Sequence, residues 1–183
     1  MQNNCILNNK VNEITGTTSL DAIDLRLLQL LQDDASMSNQ ALAQRAHVSP
    51  ATCLRRVARL TASGVIARRV ALLSPDRLGA GLTAIVEITL DRQGAEHLAA
   101  FELRVRDEVA VQQCYRVSPG PDFVLIVHVP DMAGYHALVQ RLFTQDANVR
   151  NVKSFFSVHR AKFTTRVALP KPGELTARRS KQD

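Results

Sequence analysis

Residues 49–59 read Ser-Pro-Ala-Thr-Cys-Leu-Arg-Arg-Val-Ala-Arg and combine a strong helix start with a row of cations. Serine is a common helix N-cap, and proline suits the first helical position, where its missing N–H needs no partner. Glycine often follows the last residue of a helix, so Gly64 marks the expected end. The stretch therefore predicts a helix of about thirteen residues beginning at Pro50.

The two faces of this predicted helix differ in chemistry. On a helical wheel the face expected to pack inward carries Cys53, Leu54, Val57, Leu60 and Thr61. The opposite face carries Thr52, Arg55, Arg56 and Arg59. Arginine stripes also occur on ordinary solvent-facing helices, so the stripe alone is weak evidence for a binding surface.

Two shorter helical patterns precede this stretch. The first begins at Leu20, with Ser19 as its expected N-cap, and ends near Asp33. The second runs from about Ser38 to Ala46. Two helices joined by a tight turn, the second with a cationic outer face, predict a helix-turn-helix whose second helix enters the DNA major groove.

The charge of the chain is concentrated around that predicted motif. The chain has 183 residues and a net charge of +6, and no acidic residue occurs between Asp34 and Asp76. Within this gap lie six arginines: Arg45, Arg55, Arg56, Arg59, Arg68 and Arg69. Since a solvated surface normally mixes both signs, a one-sign block in a foldable segment favours a polyanionic partner.

The candidate DNA contacts follow from these positions. The side chains expected to meet base edges or the groove are Ser49, Pro50, Thr52, Arg55 and Arg56. The residues expected to contact phosphates, which position a protein without specifying sequence, are Arg59, Arg68 and Arg69. Ser38 and Asn39, at the start of the preceding helix, complete the set.

The residue pattern changes twice after Gly64. Residues 65–73 are rich in β-branched and apolar residues, which predicts a wing-like strand and a connector ending at Pro75. A short turn or helix is expected at 75–78. Gly79 and Gly81 then mark a boundary between modules.

The second half of the chain predicts a repeated β-α-β order. The expected strands are 83–90, 110–118, 122–129 and 149–158, and the expected helices are 94–107 and 132–144. This is the ferredoxin-like arrangement, an antiparallel sheet with both helices on one face. Apolar residues occupy both alternating sets of the strand at 123–127, so we expect the other face to be covered by self-association.

The predicted fold class is therefore α+β, with two domains and two tails. A winged helix-turn-helix occupies 20–66, a connector 67–80, and a ferredoxin-like βαββαβ domain 81–169. Residues 1–19 and the basic stretch 170–183 are expected to be disordered tails.

The sequence offers no positive support for catalysis. The five histidines and three cysteines are scattered without metal-ligand spacing, and no phosphate loop or nucleophile elbow occurs. No apolar run is long enough to span a membrane, and the start lacks the pattern of a secretory signal. We therefore predict a cytoplasmic protein that is not an enzyme and has no catalytic residue, metal or cofactor.

Several stretches of the chain resemble the Lrp/AsnC (leucine-responsive regulator/asparagine-operon regulator) family of transcription factors. The most specific is Val-Ser-Pro-Ala-Thr-Cys-Leu-Arg-Arg-Val at 48–57. The other stretches that carry the resemblance are 20–24, 39–43, 64–66, 78–79 and 129–132. The resemblance covers about residues 20–168 and implies a C-terminal ligand-sensing domain of the RAM type, similar to ACT domains. It also implies dimers formed through the sheet, frequent assembly into octamers, and an amino acid or similar metabolite bound between dimers.

The loop between the two central strands has two interpretations. From its residues alone, Ser118-Pro119-Gly120-Pro121-Asp122 is more typical of a hairpin turn than of a ligand site. The resemblance favours the ligand site, because Asp122 matches an aspartate of the family. The effector residues it implies are Ser118, Gly120, Asp122, Met132 and Ser154. The chain departs from the family pattern at Pro119, where glycine is common, at Ser154, where threonine is usual, and at Arg69, which replaces an aromatic residue.

The function predicted from the sequence is a sequence-specific, DNA-binding transcriptional regulator modulated by an amino acid or similar metabolite. Its expected partners are double-stranded DNA, the effector, and further copies of the same chain in a dimer or higher oligomer; no membrane partner is expected. The alternative is a nonspecific architectural DNA-binding protein, which would cover DNA without preferred sites.

Overall fold

The computed structural model describes residues 19–79 and 81–171, which fall into two compact units. Of the described residues, 19–71 and 164–171 fall in the first unit, and 72–163 fall in the second. The sequence placed residues 164–169 in the second domain, and that boundary stays a prediction. Of the predicted tails at 1–19 and 170–183, residues 1–18 and 172–183 lie outside the described residues.

The first unit contains three helices, α1 (Ala22–Asp33), α2 (Asn39–Ala46) and α3 (Pro50–Ala62). The N-cap of α1 is Asp21 and not Ser19 as predicted. Asp21 accepts a hydrogen bond from the backbone N–H of Asp24, and Asp24 accepts one from the backbone N–H of Asp21. This reciprocal capping box satisfies two backbone donors, whereas a serine cap satisfies one, so α1 starts at this pair.

Local signals place the other two helix starts as predicted. The hydroxyl oxygens of Ser38 and Ser49 accept hydrogen bonds from the backbone N–H groups of Ala41 and Thr52, both at 3.2 Å. Gly64 follows α3 with φ +76°, a left-handed conformation that glycine adopts without strain. The predicted bounds of α2 and α3 are therefore confirmed.

The core of the first unit is formed by a narrow stripe on each helix. Its fully buried side chains are Leu27, Leu42, Ala43, Ala46 and Cys53. Leu54 is 61% exposed and Thr61 is exposed, so their predicted places on the inward face are wrong. Helices α1 and α2 cover only the stripe of α3 that passes through Cys53, Val57 and Leu60. Residues on either side of that stripe remain exposed to solvent.

The predicted wing-like strand at 65–73 does not form in the single chain. These residues lie in turns or irregular backbone and, Ile66 apart, are exposed. A strand needs a neighbour to accept and donate its backbone hydrogen bonds, and no described segment of this chain pairs with this one. The predicted short helix is present as a 3₁₀ turn at Asp76–Leu78.

The second unit is a four-stranded antiparallel sheet with two helices. The strands are β1 (Leu82–Leu90), β2 (Val111–Arg116), β3 (Phe123–Val129) and β4 (Val149–Phe156), in the spatial order β2-β3-β1-β4. Helix α4 (Ala95–Arg106) joins β1 to β2, and α5 (Met132–Val139) continues into a π-helical turn at Gln140–Thr144 before β4. The strand order and directions confirm the ferredoxin-like prediction.

The two faces of the sheet have different surroundings. One face packs on the helices through a core that includes Val86, Leu125, Phe101 and Phe143. The other face is open in the single chain and presents partly or fully exposed apolar side chains: Ile85, Tyr115, Val124, Ile126 and Phe155. We call these five residues the open face.

In the described part of the chain, every helix is too short or too polar to traverse a bilayer.

Candidate nucleic-acid interface and effector loop

The starts of α2 and α3 lie side by side. The side-chain amide of Asn39 donates a hydrogen bond of 2.9 Å to the backbone carbonyl of Pro50, which joins the first turns of the two helices. His47, in the turn between them, adopts a left-handed conformation with φ 58°. Because unpaired N–H groups and the positive end of the helix dipole are found at a helix start, two adjacent starts favour an anionic partner such as a phosphate.

The hydroxyl groups predicted to meet DNA at these starts already cap the helices. Ser38 and Ser49 accept capping hydrogen bonds, and the Ser49 hydroxyl also donates to the Thr52 hydroxyl at 2.9 Å. Ser49 and Pro50 are exposed, and Thr52 is partly buried. Their contact with DNA stays a prediction, and their visible role is to set the direction of α3.

The three arginines of α3 differ in what surrounds them. Arg55 is exposed, and within the described residues its guanidinium has no hydrogen-bond or ion-pair partner. Arg56 contacts Asp21 at 2.6 Å and Asp24 at 2.9 Å. Arg59 contacts the other oxygen of Asp24 at 2.5 Å. Of the three, Arg55 is therefore the one available to a partner without breaking an internal contact.

We call Asp21, Asp24, Arg56 and Arg59 the α1–α3 charge cluster. The Asp24 side chain is fully buried, and both of its oxygens accept hydrogen bonds from guanidinium groups. Hydrogen bonds to Asp21 and Asp24 raise the pKa of Arg56. Burial acts to raise the pKa of Asp21, but hydrogen bonds from the Asp24 backbone and from Arg56 outweigh it and lower that pKa overall. The cluster ties α3 to the first turn of α1.

The charge cluster changes the roles expected for two arginines. Only 19% of the Arg56 side chain is exposed, and its Nε is buried with no partner among the described groups, so this residue faces α1 and not an open groove. Arg59 keeps 46% of its side chain exposed. The acidic pair at the start of α1 is visible in the sequence as Asp21 and Asp24. Its pairing with residues 35 positions away required the fold.

Arg68 and Arg69 follow α3 and are both exposed. Together with Ile66 they line a shallow open groove against the last turns of α3, at Ala58, Thr61 and Ala62. This position beside α3 is compatible with the phosphate contacts predicted for them, which stay a prediction.

The loop that joins β2 to β3 is held tightly against the end of β1. Its Ser118–Pro119 peptide bond is cis, and Gly120 has φ +123°. The Asp122 backbone N–H donates to the Ile88 carbonyl at 2.8 Å, and its carboxylate Oδ2 accepts from the Leu90 N–H at 2.7 Å. The turn role of Asp122 is therefore present in the structure, and its role toward a ligand stays a prediction.

The other two predicted effector residues lie away from this loop within one chain. Met132 begins α5, which follows the opposite end of β3, and seven residues of strand span about 20 Å. Ser154, in β4 opposite Val86, shares a hydrogen bond with the Tyr135 hydroxyl. A single chain therefore brings together Ser118, Gly120 and Asp122 but neither Met132 nor Ser154.

Among residues 19–79 and 81–171, no three histidine, cysteine, aspartate or glutamate side chains are grouped as a metal site would require.

Two family profiles match the chain, one for each unit. Residues 20–67 match a winged helix-turn-helix DNA-binding domain, and residues 83–167 match the Lrp/AsnC ligand binding domain. The leucine-responsive regulatory protein of Escherichia coli K12 is 35% identical over 150 residues, which is 82% of this chain and 92% of the relative.

Solved structures give the same result. An AsnC family transcriptional regulator from Agrobacterium tumefaciens has a TM-score of 0.77 at 34% identity, covering 81% of this chain and 97% of its own. A transcriptional regulator from Neisseria meningitidis, solved in complex with L-Met, has a TM-score of 0.78 at 29% identity, covering 85% and 99%. These relatives are transcriptional regulators and not enzymes. The chain belongs to the Lrp/AsnC family of DNA-binding transcriptional regulators.

Proposed function

We propose that this regulator binds specific DNA sites through the joined starts of α2 and α3, with Arg55 as its principal base-reading side chain. The observation that carries the proposal is the difference among the arginines of α3. Arg56 and Arg59 are held by buried or half-exposed carboxylates, whereas Arg55 is exposed and has no such contact in the described chain. Arginine pairs with guanine through two hydrogen bonds in the major groove, which is the commonest specific contact.

The proposal is tested by comparing three arginine variants on two kinds of DNA. A preferred site is first selected from a random library, and binding is then measured to this site and to random duplex. Arg55→Ala is expected to cost about 1–3 kcal/mol on the selected site and to reduce its preference over random DNA. Arg68→Ala is expected to weaken both equally, because a phosphate contact carries no sequence information. Arg26→Ala, at an exposed arginine of α1, is the matched control.

An unchanged preference in Arg55→Ala would contradict the assignment to base reading. Failure of the selection to enrich any site, with even coverage of DNA in a footprint, would favour the architectural alternative.

We further propose that an amino acid binds near the loop at 118–122 and alters DNA affinity or assembly. The ligand-binding profile over residues 83–167 supports a small-molecule effector, and the Neisseria relative was solved with L-Met. Asp122 is partly buried, and one of its carboxylate oxygens, Oδ1, has no hydrogen bond from the described residues. A carboxylate in a site that excludes water is the chemistry that an ammonium group requires, because exposed ion pairs contribute less than about 1 kcal/mol.

The effector proposal is tested first by a thermal-shift screen of the amino acids on the full chain, since a ligand that binds only the folded state raises its stability. Two variants then separate the roles of Asp122. Asp122→Asn retains an oxygen that can accept the Leu90 N–H, so the loop is expected to keep its shape while the response to the ligand is lost. Asp122→Ala is expected to lose both. A normal ligand response in Asp122→Asn would leave Asp122 with only its turn role.

We also propose that two copies of this chain pair through the open face of the sheet. Its apolar side chains support this, because burying a large apolar side chain contributes about 1.5–3 kcal/mol. In sedimentation of the full chain, Ile126→Glu is expected to shift the dimer toward monomer. Val109→Glu, at an 87% exposed apolar residue outside the open face, is the control. A monomeric parent protein at micromolar concentration would refute this proposal.

A further inference from the structure

Two opposite charges lie on the side of the sheet that carries the open face. Val86 and Ile88 of β1 belong to the core beneath the helices, so Glu87 between them points to the other side. The register pairs Glu87 with Lys153 of β4, and residues directly opposite on adjacent strands have Cβ atoms about 4.5–5.5 Å apart. On the β3 side, Glu87 lies opposite Val124 of the open face. A carboxylate and an ammonium group therefore occupy neighbouring positions on an apolar surface.

These two neighbours do not form an ion pair within the single chain. Glu87 is partly buried, and its carboxylate has no hydrogen-bond or ion-pair partner among the described residues. The Lys153 ammonium lies 4.8 Å from the centre of the Phe155 ring, two positions along the same strand. A cation–π contact at an exposed site is weak, so the lysine can exchange it for a carboxylate. Both charges are thus available to a molecule that covers this face.

Covering the face makes an unpaired carboxylate costly. Association removes water from the open face and from Glu87 in its middle. A carboxylate that loses its water without gaining a counter-charge destabilises the assembly. Glu87 therefore needs a cation once the face is covered, and Lys153 is the cation beside it on the same surface.

The same two charges make this surface complementary to itself. In a dimer with two-fold symmetry, a residue i that contacts residue j of the other copy is matched by the reverse contact. A surface with one anion and one cation can therefore form two identical ion pairs with a second copy, whereas charges of one sign would repel it. This charge complementarity favours a second copy of the chain as the molecule that covers the sheet.

We propose that Glu87 of each copy pairs with Lys153 of the other when two chains associate through the open face, and that these two ion pairs fix how the sheets align. The inference rests on the proposed pairing through the open face and names the residues that make it specific. The apolar side chains supply affinity, and they alone leave the alignment of the two sheets poorly determined. The ion pairs form only on association, because Glu87 has no such partner in the single chain.

The test is sedimentation of full-length chains in which the charges are reversed. Glu87→Lys gives the surface two cations, and Lys153→Glu gives it two anions. Each variant alone is expected to have a dimer dissociation constant at least about a hundredfold above that of the parent, because like charges face each other. An equimolar mixture of the two is expected to form dimers at concentrations where neither variant does, because each copy then supplies the charge that the other needs. Circular dichroism checks that each variant is folded.

A second set of variants removes the charges with little change of shape, in case a reversal prevents folding. Glu87→Gln and Lys153→Gln are each expected to weaken the dimer by about tenfold. Their combination is expected to weaken it by less than the product of the two effects, because residues that interact directly do not contribute additively. Effects that simply multiply would contradict a direct pair.

The matched controls reverse two charges on the helical side of the sheet. Arg106 and Asp107 lie at the end of α4 and are exposed. Arg106→Glu and Asp107→Lys change the net charge by the same amounts as the two test variants. Both are expected to dimerise like the parent, alone and mixed.

The outcomes separate this inference from the dimer proposal. Parent-like association of Glu87→Lys and Lys153→Glu would overturn the inference and leave the pairing through the open face in place. A mixture that associates no better than its two components would also overturn it, and recovery in a chain that carries both reversals would then place the ion pair within one chain. A monomeric parent at micromolar concentration would instead refute the proposed pairing itself.

Discussion

Replacing Asp24 by asparagine is the sharpest test of how the DNA-binding unit holds α3 in place. The Asp24 side chain is fully buried and accepts hydrogen bonds from Arg56 at 2.9 Å, from Arg59 at 2.5 Å and from the backbone N–H of Asp21 at 3.1 Å. Asparagine has nearly the same shape but no charge, and its NH₂ group would face a guanidinium donor. The variant therefore leaves two cations beside a neutral amide.

The expected cost follows from the exposure of the groups that remain. Removing one partner of a buried ion pair costs about 3–5 kcal/mol, because the other charge stays buried without compensation. Here 19% of the Arg56 side chain and 46% of the Arg59 side chain are exposed, so both can regain some water. The lower end of the range, about 3 kcal/mol, is therefore expected. For a domain of this size, that lowers the melting temperature of the unit by more than about 10 °C.

The measurement is unfolding of the full chain by urea and by heat, followed by circular dichroism and calorimetry. The matched control is Asp33→Asn on the same helix, because the Asp33 side chain is 47% exposed and its ion pair with Arg166 lies at the surface. Such a pair contributes less than about 1 kcal/mol. If Asp24→Asn were no less stable than Asp33→Asn, the α1–α3 charge cluster would not be what holds α3 on α1.

Three further predictions concern pH, thiol chemistry and the end of α3. Burial acts to raise the pKa values of Asp21 and Asp146, but hydrogen bonds from backbone and arginine groups outweigh it and leave both below the ordinary value. Both carboxylates therefore stabilise the folded chain above about pH 4, and this contribution is expected to disappear as the pH falls further. The measurement is the free energy of unfolding by urea at a series of pH values. Burial, together with a nearby glutamate, raises the pKa of the Cys114 thiol to about 11. Because the thiolate is the reactive form, alkylation of Cys114 at pH 8, followed by mass spectrometry, is expected to be at least about tenfold slower than that of free cysteine. An equal rate would contradict this prediction. Gly64→Ala is expected to lower the free energy of unfolding by about 1–2 kcal/mol, because φ is +76° at this position and alanine is strained in the left-handed conformation. Gly81→Ala serves as the control in the same unfolding assay, because its added Cβ would make only an ordinary van der Waals contact.

Much of the fold could be predicted from the sequence because its signals are local. The capping serines determine where α2 and α3 begin, and Gly64 marks where α3 ends, since each acts on backbone groups within a few residues. In the second unit, alternating and helical periodicities predicted every strand and helix near its observed bounds. The order of these elements then leaves few ways to form a sheet, and the observed β2-β3-β1-β4 order is the one expected for a split β-α-β repeat.

The tertiary structure decided which of the candidate side chains are available to a partner. The sequence shows three arginines on one face of α3, and only the packing of α1 against that helix separates Arg55 from Arg56 and Arg59. Likewise, only the packing of α5 on the sheet pairs the Ser154 hydroxyl with the Tyr135 hydroxyl, 19 positions earlier in the chain. In each case the contact that decides the outcome joins two groups that are distant in the sequence. Local periodicity and composition carry no information about such contacts, because ion pairs and strand ends are brought together only when the whole chain has packed.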